Sequence, residues 1–202
     1  MFNAKYWKSN WNISRDRIGK EIINRITVEG VANNGVFYTD ANGRQSVRRQ
    51  VDTRESYPYT ITEQVAANYY PLNSHLYIRK ETTNGDQVTL LVDRSQGGSS
   101  LKNGWMEAMV HRRLLHDDAF GVGEALDETA YGPVHGLVVR GTHYLVLGSV
   151  QDSASKFRPL AQQIYRQPLV SFIPTTFSFK DWSTIYKTQV TTDSNIQFSP
   201  LS

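Results

Sequence analysis

Val36-Phe37-Tyr38-Thr39-Asp40-Ala41-Asn42-Gly43-Arg44-Gln45-Ser46-Val47-Arg48-Arg49-Gln50-Val51 is two extended runs joined across Asn-Gly. Both turn residues tolerate positive φ, so the pattern predicts a β-hairpin. On the return arm Gln45, Val47, Arg49 and Val51 share one face, and Ser46, Arg48 and Gln50 the other. Arg49 therefore lies among valines, which reads as a stem over apolar surface with its head in water.

The same grammar extends outward from this hairpin. Leu76-Tyr77-Ile78 and Val88-Thr89-Leu90-Leu91-Val92 flank Asn84-Gly85 as a second hairpin, and Ile22-Ile23 and Ile26-Thr27-Val28 are strand-like upstream. Gly136 to Leu147 holds two β runs around Arg140-Gly141, a third hairpin or a bulged strand. Ala66-Ala67-Asn68-Tyr69-Tyr70-Pro71-Leu72 is an aromatic corner closed by proline, which biases Tyr70 to extended backbone. Only Pro159 to Arg166 reads as helical, with Leu160 and Ile164 four apart and Pro159 suited to a first turn. These elements predict a mainly β, antiparallel sandwich with one short helix, spanning 21–202 after a poorly defined segment 1–20.

Composition agrees with this class and excludes others. The 202 residues suit one domain with a real core, and aromatics reach 11% with Tyr most frequent, which favours strands. There are 22 Lys and Arg against 19 Asp and Glu, and Arg48-Arg49 and Arg112-Arg113 each have acids nearby. Nucleic acid is not an expected partner, because phosphate binding needs clustered cations. Cysteine is absent, so neither disulfides nor thiolate chemistry arise. No apolar run is long enough to cross a bilayer, and Met1 to Lys8 lacks the apolar core of a signal peptide. A soluble chain that does not contact membrane is expected. Asn12-Ile13-Ser14 matches the N-glycosylation acceptor pattern.

The densest polar stretch runs from Asp93-Arg94-Ser95-Gln96-Gly97-Gly98-Ser99-Ser100-Leu101 to His111-Arg112-Arg113-Leu114-Leu115-His116-Asp117-Asp118. Gly97 to Ser100 lacks the lysine of a phosphate loop and reads as a turn. Asp117 and Asp118 are the obvious acid pair, but neighbours on a strand point to opposite faces and do not converge on one glycosidic bond. They read as a solvated pair beside an arginine. His111 and His116 are five apart, and His75, His135 and His143 lie in separate segments, so no metal signature is present. Spacing alone assembles neither a catalytic centre nor a metal site.

Val36 to Arg44, Ala67-Asn68-Tyr69-Tyr70-Pro71, Asp93 to Leu101, and His111 to Leu115 with Asp117-Asp118 together resemble successive motifs of the lysosomal-type α-mannosidases, glycoside hydrolase family 38. The similarity covers residues 20 to 150 at least. It implies the carboxy-terminal β region of such an enzyme, a galactose-mutarotase-like supersandwich, truncated here. By the resemblance, the aspartate nucleophile, the second carboxylic acid and a zinc held by His and Asp all lie in a separate catalytic α/β barrel. That barrel and mannose-containing glycans are the implied partners, glycoprotein N-glycan catabolism the implied role, and a lysosomal or secretory compartment the implied location.

The resemblance also implies an arginine reaching from the β region toward the sugar. Arg112 and Arg113 are the candidates, since a guanidinium offers a planar set of donors. The family continues Asp-Asp-x-Arg-Gly, whereas this chain has Phe120 in place of that arginine. Trp105, Met106, Met109, Val110 and Leu114 have helical spacing, but the resemblance implies a strand there and is followed. Asn68, Tyr69, Tyr70, Asp93, Arg94, Gly97, Gly98, Asp117 and Asp118 are the motif residues expected to shape the region. The alternative expectation is a stand-alone sugar-binding or structural sandwich, with Tyr69, Tyr70 and the two arginines as its platform.

Overall fold

Both Asn-Gly segments close antiparallel hairpins in the computed structural model, which describes residues 7–12, 20–82, 84–114, 116–123, 125, 126, 128, 138–166, 178, 180, 181 and 184. The strands are β1 (Trp7–Asn12), β2 (Lys20–Thr27), β3 (Val36–Asp40), β4 (Ser46–Gln50), β5 (Tyr70–Leu72), β6 (His75–Arg79), β7 (Asp86–Val92), β8 (Gln96–Ser99), β9 (Trp105–Arg113) and β10 (Val138–Ser149). A helix, α1 (Val150–Tyr165), follows them. The chain divides into two compact units, 1–167 and 168–202, and all these elements belong to the first. In the second, the Ser178 hydroxyl accepts from the Asp181 amide at 3.2 Å.

The strands form two sheets, one ordered β1-β10-β7-β6-β3-β4 and the other β2-β9-β8-β5. Every pairing is antiparallel. The predicted sandwich is therefore present, and the chain changes sheet after β1, β2, β4, β5, β7 and β9. Phe37, Leu72, Leu76, Ile78, Val88, Leu90, Val92, Met106 and Ala108 fill the space between the sheets. On the far face of the larger sheet, Val36, Tyr38, Tyr77 and Leu91 pack under Phe157 and Ala161 of α1. The larger sheet is thus a middle layer. Its strand β7 is buried from Gln87 to Val92, which explains a continuous apolar run where a half-exposed strand would alternate.

Polar side chains bind the turns to this frame. Asp40 is fully buried; its Oδ1 accepts from the amides of Asn73 at 3.0 Å, Ser74 at 2.8 Å and His75 at 2.9 Å. Its Oδ2 accepts from the Gly43 amide at 2.7 Å. One carboxylate thereby ties the first hairpin turn to the crossing between the sheets. Gly43 has φ of 77°, a conformation that glycine takes at no steric cost.

Three local expectations change. The helix begins nine residues earlier than Pro159: Ser149 caps it, accepting from the Asp152 amide at 3.2 Å, and Asp152 sits favourably in its first turn. Pro159 is inside the helix and exposed, so the carbonyl that loses a donor lies on the solvent side. Gly97 and Gly98 lie in strand β8 rather than in a turn. Packing explains the glycines: a Cβ on Gly98 would lie 3.0 Å from both Leu72 Cδ2 and Leu76 Cδ1. Residues 138–149 form one unbroken strand instead of a hairpin around Arg140-Gly141, because β1 pairs with its first half and β7 with its second.

The strand state of β9 is the one the resemblance implied, against its helical spacing. Ile22 pairs with His111 and Ile23 with Met109, leaving Val110 as an extra residue. That bulge breaks the two-residue alternation and produces the helix-like pattern. Segment 1–20, polar with scattered aromatics, supplies β1 at the sheet edge.

His75 makes stability depend on acidity. It is buried among Tyr77 and Phe157, with Nε2 against Ser46 Oγ at 2.7 Å and Nδ1 against Ser74 Oγ at 2.8 Å. Burial lowers its pKa to about 4, against an opposing pull from Asp40. Its contribution is complete above pH 6.5 and is lost as the pH falls toward 4, a change on the order of 3 kcal/mol. Urea unfolding of wild type and His75→Phe between pH 7 and 4 should show a shallower loss in the variant. Parallel profiles would contradict this assignment.

Candidate functional site

The motif residues meet along β8 and β9 of the smaller sheet. Glu107 interrupts the apolar run of β9 on the face opposite Met106 and Ala108, and it is fully buried. Its Oε1 accepts from Arg25 Nε on β2 at 2.5 Å, and its Oε2 accepts from the Tyr69 hydroxyl at 2.8 Å. The Arg25 guanidinium lies 4.3 Å from the Trp105 ring centroid, and Lys102 Nζ 4.7 Å from the same ring. Burial, then the hydrogen bond to Glu107, pushes the Tyr69 phenol well above its ordinary range. Gly97 makes this approach possible, since a Cβ there would sit 3.3 Å from the Tyr69 ring.

Asn68 and Tyr70 turn to other tasks. The buried Asn68 amide donates to Asp52 Oδ1 at 2.7 Å and the Gln64 carbonyl at 2.8 Å, and its Oδ1 accepts from the Asp52 amide at 2.9 Å. Ser99 Oγ donates to the Asn68 carbonyl at 2.7 Å, which pins this loop to β8. The Tyr70 ring lies under Arg49, 4.3 Å from its guanidinium carbon, and its hydroxyl accepts from Arg54 at 2.5 Å. Arg49 also donates to Thr39 Oγ1 at 3.2 Å, so its head lies over an aromatic ring instead of in water.

Asp93 and Arg94 form a third knot where β7 ends. They pair at 3.0 Å, Asp93 Oδ2 accepts from the Thr142 amide at 2.7 Å, and Arg94 donates to the Arg140 carbonyl. Burial alone would raise the Asp93 carboxyl, but the bonds from Arg94 and Thr142 outweigh it and hold the pKa below the usual value. Beside this knot, His143 of the larger sheet meets Asn24 Nδ2 through Nδ1 at 2.7 Å and Gln96 Oε1 through Nε2 at 2.8 Å. A neutral ring protonated on Nε2 satisfies both bonds, and burial lowers its pKa in keeping with that form.

The remaining candidates do not converge on these clusters. Arg112 is exposed and Arg113 half-buried; as strand neighbours they face opposite ways, and Arg113 is already engaged within the chain. Five residues separate Arg112 from Glu107, about 16 Å along a strand. Asp117 Oδ2 accepts from the Ala119 amide and Asp118 Oδ1 from the Phe120 amide, each at 3.0 Å. These bonds shape a surface turn. Phe120 is 92% exposed at its tip. Asn12 ends β1, while Ile13, Ser14 and His135 lie outside the described residues. No group of three or more His, Asp or Glu placed to hold a metal occurs among the described residues, so the zinc implied by the resemblance has no fitting donor set there.

Sequence reading missed Glu107, Arg25 and Trp105. The available signal was one acidic residue inside Trp105-Met106-Glu107-Ala108-Met109-Val110, which demands either exposure or a partner. Nothing local identifies Arg25, because it arrives from another strand.

Comparison with known proteins follows the same motifs. The glycosyl hydrolases family 38 C-terminal domain matches residues 6–120. Lysosomal alpha-mannosidase of Cavia porcellus is 47% identical over 159 residues, covering 79% of this chain and 15% of that protein. Alpha-mannosidase of Canavalia ensiformis is 41% identical over 178 residues, covering 86% of this chain and 18% of that protein. Lysosomal alpha-mannosidase of Homo sapiens is 45% identical over 159 residues, with 79% and 15% covered. The matched chain thus spans less than a fifth of each of these relatives.

Tyr69→Phe tests the Glu107 cluster. It removes one donor from a buried carboxylate and should cost about 1–3 kcal/mol at neutral pH. The raised phenol pKa contributes stability that is present below pH 10 and lost as the pH rises above it. Denaturant melts from pH 8 to 12 should therefore show the gap between wild type and variant narrowing. A constant gap would rule out a buried phenol that donates to Glu107.

Proposed function

Because the chain belongs to the glycosyl hydrolases family 38 C-terminal domain family, we propose that it is the β-domain portion of an α-mannosidase acting on terminal α-linked mannose of glycoprotein N-glycans. It works with a catalytic α/β barrel and does not carry the reaction by itself. The lysosomal relatives support a lysosomal or secretory setting for the assembled enzyme. Zinc belongs to the same proposal, as a group held by the barrel.

The observation that carries this reading is how the motif carboxylates are used. Asp40 and Glu107 are buried and supplied with donors, Asp93 holds Arg94 and a backbone amide, and Asp117 and Asp118 hold their own turn. A retaining glycosidase needs two carboxyl groups free to act across one bond, whereas each of these five accepts hydrogen bonds within the fold. Their work is to shape and hold the sandwich.

Arg112 is the favoured sugar contact, being exposed near the open end of β9, with Arg113 second because it is half-buried. Phe120 presents an apolar ring where the family has an arginine, so this chain makes the approach to substrate with one cation fewer on that loop. A free-standing sugar-binding role has one feature in its favour, away from Tyr69 and Tyr70. Tyr57 and Tyr59 are 52% and 47% exposed, their rings are 6.1 Å apart edge to face, and Arg54 lies 5.2 Å from Tyr59.

Two assays test the proposal. The purified chain should not turn over an aryl α-mannoside with or without added zinc, and turnover would refute its non-catalytic role. Exchanged for the matching segment of the Canavalia ensiformis enzyme, the chain should support hydrolysis, and Arg112→Ala in that chimera should lower kcat/KM roughly tenfold or more. An unchanged kcat/KM would remove Arg112 from the site.

A further inference from the structure

A cleft of about 400 Å³ opens between α1 and the larger sheet, lined by Arg44, Gln45, Ser46, Arg79, Gln87 and Arg158 among others. Its aromatic lining is Tyr77 and Phe157, both buried in the helix-side core. The volume falls within the range of small-molecule sites. None of the lining residues is acidic.

Three guanidinium groups reach this space from three elements: the β3–β4 turn, the end of β6, and α1. Among the described residues, only Arg79 of the three has a carboxylate, Glu81, at 3.3 Å, and Glu81 also accepts from the Tyr38 hydroxyl at 3.0 Å. Arg79 is further fixed by its bond to the Tyr38 hydroxyl at 2.8 Å and its place 4.5 Å from the Tyr38 ring. Among the described residues, Arg44 and Arg158 have no ion pair. Arg158 also has a buried Nε without a hydrogen-bond partner. An orphaned buried donor on a cation is uncommon in a native fold and calls for an account.

We propose that this cleft binds a small oxyanion, a carboxylate, phosphate or sulfate group carried on a molecule of about monosaccharide size. Guanidinium groups recognise such anions through paired, charge-assisted hydrogen bonds. Arg158 supplies a cation with a buried Nε and Arg44 an exposed one that closes over the ligand, while Arg79 is pre-positioned by Tyr38 and Glu81. The anion provides the counter-charge that the protein withholds from Arg44 and Arg158. Gln87, whose amide is held by Thr89 Oγ1 at 3.0 Å, keeps the sheet side of the cleft polar and uncharged.

The 202-residue chain is titrated with inorganic phosphate, followed by 31P line broadening at constant ionic strength, with sulfate and acetate as competitors. Saturable binding at one site is expected, weakened roughly tenfold by Arg158→Gln and by Arg44→Ala. Lys102→Ala, in the turn between β8 and β9, should leave it unchanged. Circular dichroism checks that α1 persists in Arg158→Gln; the exposed Arg44→Ala serves where it does not. Displacement by acetate identifies a carboxylate-type site, and displacement by sulfate alone a tetrahedral one. Non-saturable broadening, or binding equally strong in Arg44→Ala and Arg158→Gln, would overturn the proposal.

Discussion

Strand β7 must be covered on both faces. Val88, Leu90 and Val92 belong to the core between the sheets, and Leu91 to the core under the helix. Each such side chain contributes about 1.5–3 kcal/mol when fully buried, so losing either covering layer removes a large share of the stability of a domain. The other elements are placed by that need. The smaller sheet supplies Met106 and Ala108 on one side, and α1 supplies Phe157 and Ala161 on the other.

Once the middle strand is enclosed, the polar groups that cross between layers must be paired inside. Asp40 and His143 are such groups, and Asn68 and Glu107 are buried beside the smaller sheet; each is bonded to an element distant in sequence. This accounts for why the motif residues look reactive in sequence and are structural in the fold. A buried carboxylate with several donors specifies one arrangement of strands, because any slip would leave it unpaired at a cost of several kcal/mol. The surface left for recognition is then the guanidinium groups and exposed rings at the margins: Arg112, the Phe120 turn and the arginine-lined cleft.

The two hairpins were legible because Asn42-Gly43 and Asn84-Gly85 are local signals flanked by β-branched and aromatic runs. Antiparallel pairing followed from them, and the family resemblance put β9 in its strand state against its own periodicity. What was illegible depended on distant contacts. Gly97-Gly98 looks like a turn until Leu72, Leu76 and Tyr69 are seen to need the space. The bulge at Val110 mimics a helical repeat, and Arg25 finds Glu107 only through β2 pairing. The start of α1 had a readable sign in Ser149-Val150-Gln151-Asp152, a cap with an acid three residues on, which was outweighed by the pull of Pro159. For the candidate site, the sequence named most of the residues that cluster but not their task, since a carboxylate's role depends on which donors fold beside it.

Native-state hydrogen exchange on the intact chain tests the doubly covered middle strand most directly, since amides in the most enclosed element open only with global unfolding. The account predicts that the amides of Val88 to Val92 exchange slowest, at the free energy of global unfolding, and that the edge strands β1 and β4 exchange faster. Exchange from β7 as fast as from β4 would contradict it.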